Sequence, residues 1–120
     1  MNKKKILITG AAGFIGFHLV EKFLKCDDFV VIGLDNINEY YDIRLKYMRL
    51  REHGINGSNL SPGVVTASSK YSNYCFIKSD IVDHDFIVNF MVKEKFDYVI
   101  NLAAQAGVRY SIDNPQVYVH

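Results

Sequence analysis

The chain has 120 residues, 49% of them hydrophobic, and a formal net charge of +1. That length holds one domain with a modest core. A charge so close to zero gives no electrostatic case for a nucleic-acid or membrane-surface partner.

The basic run Lys3-Lys4-Lys5 reads as a solvated lead-in to a strand, since tracking a phosphate backbone takes many more such contacts. Lys4 to Thr9 is a short apolar run ending at Gly10, the pattern of a buried parallel strand. From Phe14 to Lys25 the period becomes helical: Ile15, Leu19 and Phe23 with Val20 and Leu24 form one face, and Glu21, Lys22 and Lys25 the other. Asp27-Asp28 closes that helix, and Phe29 to Leu34 is a second apolar strand ending at Asp35.

Residues 39 to 53 read as a second helix. Gly54 to Asn73 is a long loop, with room for a short hairpin around Val64-Val65. Tyr74 to Ser79 is a third strand, Asp83 suits the cap of a helix running to about Lys95, and Asp97 to Leu102 is a fourth strand. Pro115 suits the first turn of one more helix. Strands alternating with helices, joined by right-handed crossovers, predict an α/β fold: a Rossmann-type parallel sheet of about four strands, in the order third, second, first, fourth, with helices on both faces.

No segment approaches the roughly 18 apolar residues of a membrane span. The start looks like a secretory signal only superficially, because the apolar stretch Ile6 to Ile8 is cut short by a glycine turn; a cytoplasmic location is the default expectation. Cys26 and Cys75 read as reduced, half-buried apolar residues, with no pairing that suggests a metal or redox role.

The strongest functional signal is Gly10-Ala11-Ala12-Gly13-Phe14-Ile15-Gly16, placed where a buried strand turns into an amphipathic helix. Gly10 permits the tight turn, Gly13 lets the backbone approach a pyrophosphate, and Gly16 lets the helix pack close to the sheet. The helix start then offers N–H groups and a positive dipole end to phosphates, so Ala12, Phe14 and Ile15 join the three glycines as cofactor contacts. Asp35, with Asn36 beside it, ends the next strand, where a carboxylate accepts hydrogen bonds from the adenosine ribose and repels a 2′-phosphate. NAD is therefore expected over NADP. Asp80 and Ile81 follow the third strand, near where an adenine ring lies in this fold.

The glycine spacing, one residue wider than Gly-x-Gly-x-x-Gly, is the form used by short-chain dehydrogenases/reductases. Two further stretches narrow the resemblance: Gly33 to Asp42 followed by Arg44-Leu45-Lys46, and Asn101 to Ser111 followed by Asp113-Asn114-Pro115. With the glycine motif they resemble the UDP-glucuronate 4-epimerase branch of the extended short-chain dehydrogenase/reductase family, over nearly the whole chain except Gly54 to Asn73. The resemblance implies that Leu102, Ala103 and Ala104 lie against the cofactor, and that Gln105, Arg109 and Ser111 face a UDP-sugar. Arg109 is the residue suited to pair with a sugar carboxylate or the diphosphate. Asn101 departs from the His that relatives often carry, and either side chain can hydrogen-bond locally.

Enzymes of this kind use a Tyr-x-x-x-Lys pair on a later helix, the tyrosine as general base and the lysine lowering its pKa. The literal match here, Tyr74 to Lys78, falls on a predicted strand, where four residues span roughly 13 Å instead of one helical turn. No catalytic residue is therefore assigned. The resemblance implies an N-terminal fragment of a longer, homodimeric parent whose catalytic pair and substrate region lie further along. That parent is expected to epimerise UDP-glucuronate at C4. A nucleotide-sugar 4,6-dehydratase or decarboxylase, or a non-catalytic dinucleotide-binding module, are the alternatives.

Overall fold

The computed structural model describes residues 3–37, 43–79 and 84–102. Its elements run β1 (Lys4–Thr9), α1 (Phe14–Leu24), β2 (Phe29–Asp35), α2 (Ile43–Glu52), a 3₁₀ turn (Gly57–Asn59), β3 (Val65–Ala67), β4 (Tyr74–Lys78), α3 (His84–Glu94) and β5 (Tyr98–Asn101). The sheet order is β3-β4-β2-β1-β5. β1 pairs in parallel with β2 and with β5, and β2 with β4, so the four parallel strands keep the expected order.

The strand count needs correction: the sheet has five strands, not about four. The extra strand, β3, comes from the segment read mainly as a loop. It lies antiparallel to β4, with Val65 opposite Ile77 and Ala67 opposite Cys75. Three residues are too short to show an alternating pattern, and the strand forms because β4 offers an open edge to pair with.

Alternation along each strand sends side chains to two separate cores. Ile6 and Ile8 of β1, Val31 of β2 and Tyr74 and Phe76 of β4 pack with Val20 and Leu24 of α1 and Leu50 of α2. Leu7, Ile32, Leu34 and Ile77 point the other way, onto Ile87 and Phe90 of α3. Full burial of an aliphatic or phenylalanine side chain of this kind contributes roughly 1.5–3 kcal/mol over leaving it in water. The result is an α/β/α sandwich with β1 and β2 at its centre.

Helix α1 buries Gly16, Val20 and Leu24, spaced four apart. Ile15 was expected on the apolar stripe, yet it is 67% exposed, and the buried positions of the helix are those three. The helix ends at Leu24, where the N–H of its cap, Lys25, donates to the Glu21 carbonyl and the Cys26 N–H to the Phe23 carbonyl. Cys26 and Cys75 are half-buried free thiols. Among the described residues no helix is long and apolar enough to cross a membrane.

Candidate functional site

The turn between β1 and α1 is built from backbone. Gly10 has a φ of +71°, which favours glycine. The Gly13 N–H donates to the Gly10 carbonyl at 3.0 Å, and the Phe17 N–H to the Gly13 carbonyl at 2.8 Å. A Cβ on Gly16 would sit 2.1 Å from the Gly10 oxygen. Gly16 thus lets α1 press against the turn itself, a more local role than the packing on the sheet expected from sequence. A Cβ on Gly13 would lie 3.2 Å from the same oxygen, so that position too is tight.

Gly13 is the N-cap of α1, with no side-chain acceptor and no acidic residue in the first turn. The positive end of the helix is therefore left without a carboxylate from its own first turn, an arrangement that suits an incoming phosphate. Phe14 and Ile15 stand exposed beside it.

Asp35 ends β2 next to this turn and is only 4% exposed. Its Oδ2 accepts the Ala12 N–H at 3.0 Å, and its Oδ1 accepts the Ile37 N–H at 2.8 Å. One carboxylate therefore ties the glycine turn to the end of β2. Ala12 was expected among the cofactor contacts, but its N–H is engaged by Asp35. The Ala11 N–H donates to the Leu34 carbonyl, a second link between the same two segments. Asn36 is half-buried at the same strand end.

Two cations that sequence reasoning did not single out reach this corner from α2. Lys46 Nζ lies 2.9 Å from Asp35 Oδ1, and the lysine side chain is 12% exposed. Arg49, three residues on, donates to the Ala12 carbonyl at 3.1 Å and lies 5.9 Å from the Phe14 ring centroid. Their spacing of three places both on one helical face, but nothing local says which carboxylate that face meets.

At the end of β5, the Thr9 hydroxyl donates to Asn101 Oδ1 and accepts the Leu102 N–H, the latter at 3.0 Å. The Asn101 bond thus crosses to the neighbouring strand, and half-buried Leu102 is held beside the end of β1. Asp80, Ile81, Ala103, Ala104, Gln105, Arg109 and Ser111, and the predicted Asp83 cap and Pro115 helix, lie outside the described residues.

Tyr74 and Lys78 lie on β4, as expected. The Tyr74 phenol is buried, and its pKa is raised by that burial and by the nearby Asp35 charge. A hydroxyl held so firmly in its neutral form is unsuited to act as a base.

A parallel sheet whose central strand turns through glycines into a helix, with a buried carboxylate closing the neighbouring strand, defines the short-chain dehydrogenase/reductase type of Rossmann fold. The chain belongs to the GDP-mannose 4,6-dehydratase family, whose profile matches residues 7–120.

Among its relatives, protein CapI of Staphylococcus aureus is 44% identical over 115 residues, covering 96% of this chain and 29% of that protein. UDP-glucuronate 4-epimerase 4 of Arabidopsis thaliana is 40% identical, covering 96% of this chain and 22% of that protein. In structure, the chain resembles the UDP-glucuronic acid 4-epimerase of Bacillus cereus in complex with UDP-glucuronic acid and NAD. The identity is 32% and the TM-score 0.62, over 95% of this chain and 31% of the other. The chain thus spans less than a third of the length of these proteins.

Proposed function

We infer that this chain is the N-terminal, NAD-binding part of a nucleotide-sugar epimerase that acts at C4 of UDP-glucuronate. The observation that carries the reading is the coupling of the glycine turn to Asp35 through the Ala12 N–H. It sets a carboxylate able to accept from a ribose hydroxyl beside a helix start able to receive a pyrophosphate. An ionised carboxylate has about four lone-pair sites, and three donors fill three of them, so the residues present fit a dinucleotide.

Bound there, NAD supplies a hydride acceptor and donor for transient oxidation of the sugar at C4, with no net redox change. The chain's own residues bind and orient. The α1 start would receive the diphosphate, Asp35 and Asn36 would hold the adenosine ribose, and Asp80 and Ile81 would contact the adenine. Leu102, Ala103 and Ala104 line the cofactor, while Gln105, Arg109 and Ser111 face the sugar nucleotide, with Arg109 pairing with its carboxylate or diphosphate. The catalytic tyrosine and lysine come from elsewhere in a cytoplasmic, homodimeric parent enzyme.

Support for the acid-sugar substrate comes from the relatives and structural neighbours named for UDP-glucuronate epimerisation. A second reading, a 4,6-dehydratase, is favoured by the description of the matching family. Incubating the whole protein with UDP-glucuronate and resolving the products separates them. A C4 epimer supports the first reading. No epimer from UDP-glucuronate, together with loss of water from a neutral nucleotide hexose, would replace it with the second.

A further inference from the structure

The carboxylate assigned to the ribose is not a bare charge. Asp35 Oδ1 takes both the Ile37 N–H and the Lys46 ammonium, at 2.8 and 2.9 Å, while Oδ2 takes the Ala12 N–H at 3.0 Å. Both ionic partners are withdrawn from solvent, with side-chain exposures of 4% for Asp35 and 12% for Lys46. Charges held that far from water interact more strongly than a surface pair and are screened less by salt.

An unpaired aspartate here would repel a 2′-phosphate. An aspartate–lysine pair has no net charge to repel with. The lysine also carries three N–H donors, and Asp35 is the single acceptor it meets among the described residues. Arg49, braced on the Ala12 carbonyl, adds a second positive group on the same face of α2.

We propose that Lys46 is a specificity-determining residue: by neutralising Asp35 and offering its own donors, it lets the site accept a 2′-phosphorylated dinucleotide far better than Asp35 alone would. The proposal rests on the dinucleotide reading above. It changes the consequence drawn from Asp35 in the sequence. NAD remains the better ligand, because the carboxylate still accepts from the ribose, but the margin over NADP is set by the lysine.

The test is a set of equilibrium titrations of the intact protein with NAD and with NADP, reading the ratio of the two dissociation constants. Lys46→Met should raise the NADP/NAD ratio about tenfold or more, the amount expected when a charge-assisted hydrogen bond to phosphate is lost. Lys46→Arg, which keeps the charge, should leave the ratio within about threefold of the unaltered protein.

Removing Lys46 leaves Asp35 buried without its ion partner, so the Met variant is the one at risk of not folding. Lys46→Gln keeps an N–H for Asp35 while discarding the charge, and it should shift the ratio in the same direction. Equal weakening of both dinucleotides in the Gln variant, with the ratio unchanged, means that Lys46 is merely structural and overturns the proposal. If the unaltered protein binds neither dinucleotide, the cofactor reading itself fails and takes this proposal with it.

Discussion

Gly16 rests against the carbonyl of Gly10: a Cβ added to Gly16 would stand 2.1 Å from that oxygen and 2.8 Å from its carbon. Both contacts are with backbone, which cannot rotate aside as a side chain can. Gly16→Ala should therefore displace α1 from the turn, at a cost of roughly 1–3 kcal/mol or more. Because the turn and the helix start form the phosphate site, dinucleotide affinity should fall along with the melting temperature. An alanine variant that melts and binds like the unaltered protein would show that the turn is looser than described.

Gly33 on β2 stands in a similar relation to Tyr74 on β4, but here the obstacle is a side chain. A Cβ at Gly33 would meet the Tyr74 hydroxyl at 2.3 Å and the Ala11 Cβ at 2.9 Å. Gly33→Ala should destabilise by roughly 1–3 kcal/mol. Tyr74→Phe alone should change stability by no more than about 1 kcal/mol, since the buried hydroxyl has no hydrogen-bond partner among the described residues. Adding Tyr74→Phe to Gly33→Ala should recover part of the loss and leave the Ala11 contact as the remainder. Denaturant titrations of the two single variants and the double variant test this coupling, and strictly additive losses would count against it.

His53 predicts a dependence on pH. Its ring is 1% exposed and stacks on Phe17 with centroids 4.4 Å apart, and Tyr71 and Tyr74 meet it edge-on. Burial is the main cause that lowers its pKa from 6.5, with Lys70 adding to the effect; Glu21, 3.7 Å away, and Glu52 pull it back up. A histidine whose folded pKa lies below its unfolded value leaves stability untouched above pH 6.5. As the pH falls below that value the unfolded chain takes up a proton that the folded chain resists, so stability is lost down through the lowered folded pKa. Chemical denaturation between about pH 7.5 and 5 should show this decline, and His53→Gln should flatten the part of the slope that His53 causes. An unchanged slope in that variant would assign the dependence to other groups.

The β5 edge predicts association. β5 ends the sheet beside β1, and no described strand pairs with its other side. It reads Tyr98-Val99-Ile100-Asn101, with Tyr98 half exposed and neither Lys nor Pro to discourage pairing. On the neighbouring α3, Val88 and Val92, one helical turn apart, are also exposed. The 120-residue chain on its own should self-associate or exchange segments at high micromolar concentration, and light scattering reads this directly. A stable monomer at that concentration would mean that the edge is covered.

The glycine turn and the four parallel strands were legible because each depends on short-range physics. Gly10 to Gly16 announces a turn only glycine can make, and the runs at β1, β2 and β4 are apolar over the length of a buried strand. Asp35 could be placed at a strand end for the same reason. Its ion partner could not, because Lys46 comes to it from a helix eleven positions along, and an ion pair across elements has no local pattern.

The same limit left β3 as no more than a short hairpin around Val64-Val65 within a loop, since its pairing depends on the edge that β4 presents. It also hid the cluster of His53, Glu21 and Tyr74, whose members come from three separate segments. Residue order determined which segments could be strand, turn or helix and which residue types could meet a dinucleotide. Only packing the helices on the two faces of the sheet decided which cation neutralises which carboxylate, because that depends on distances set by the whole core.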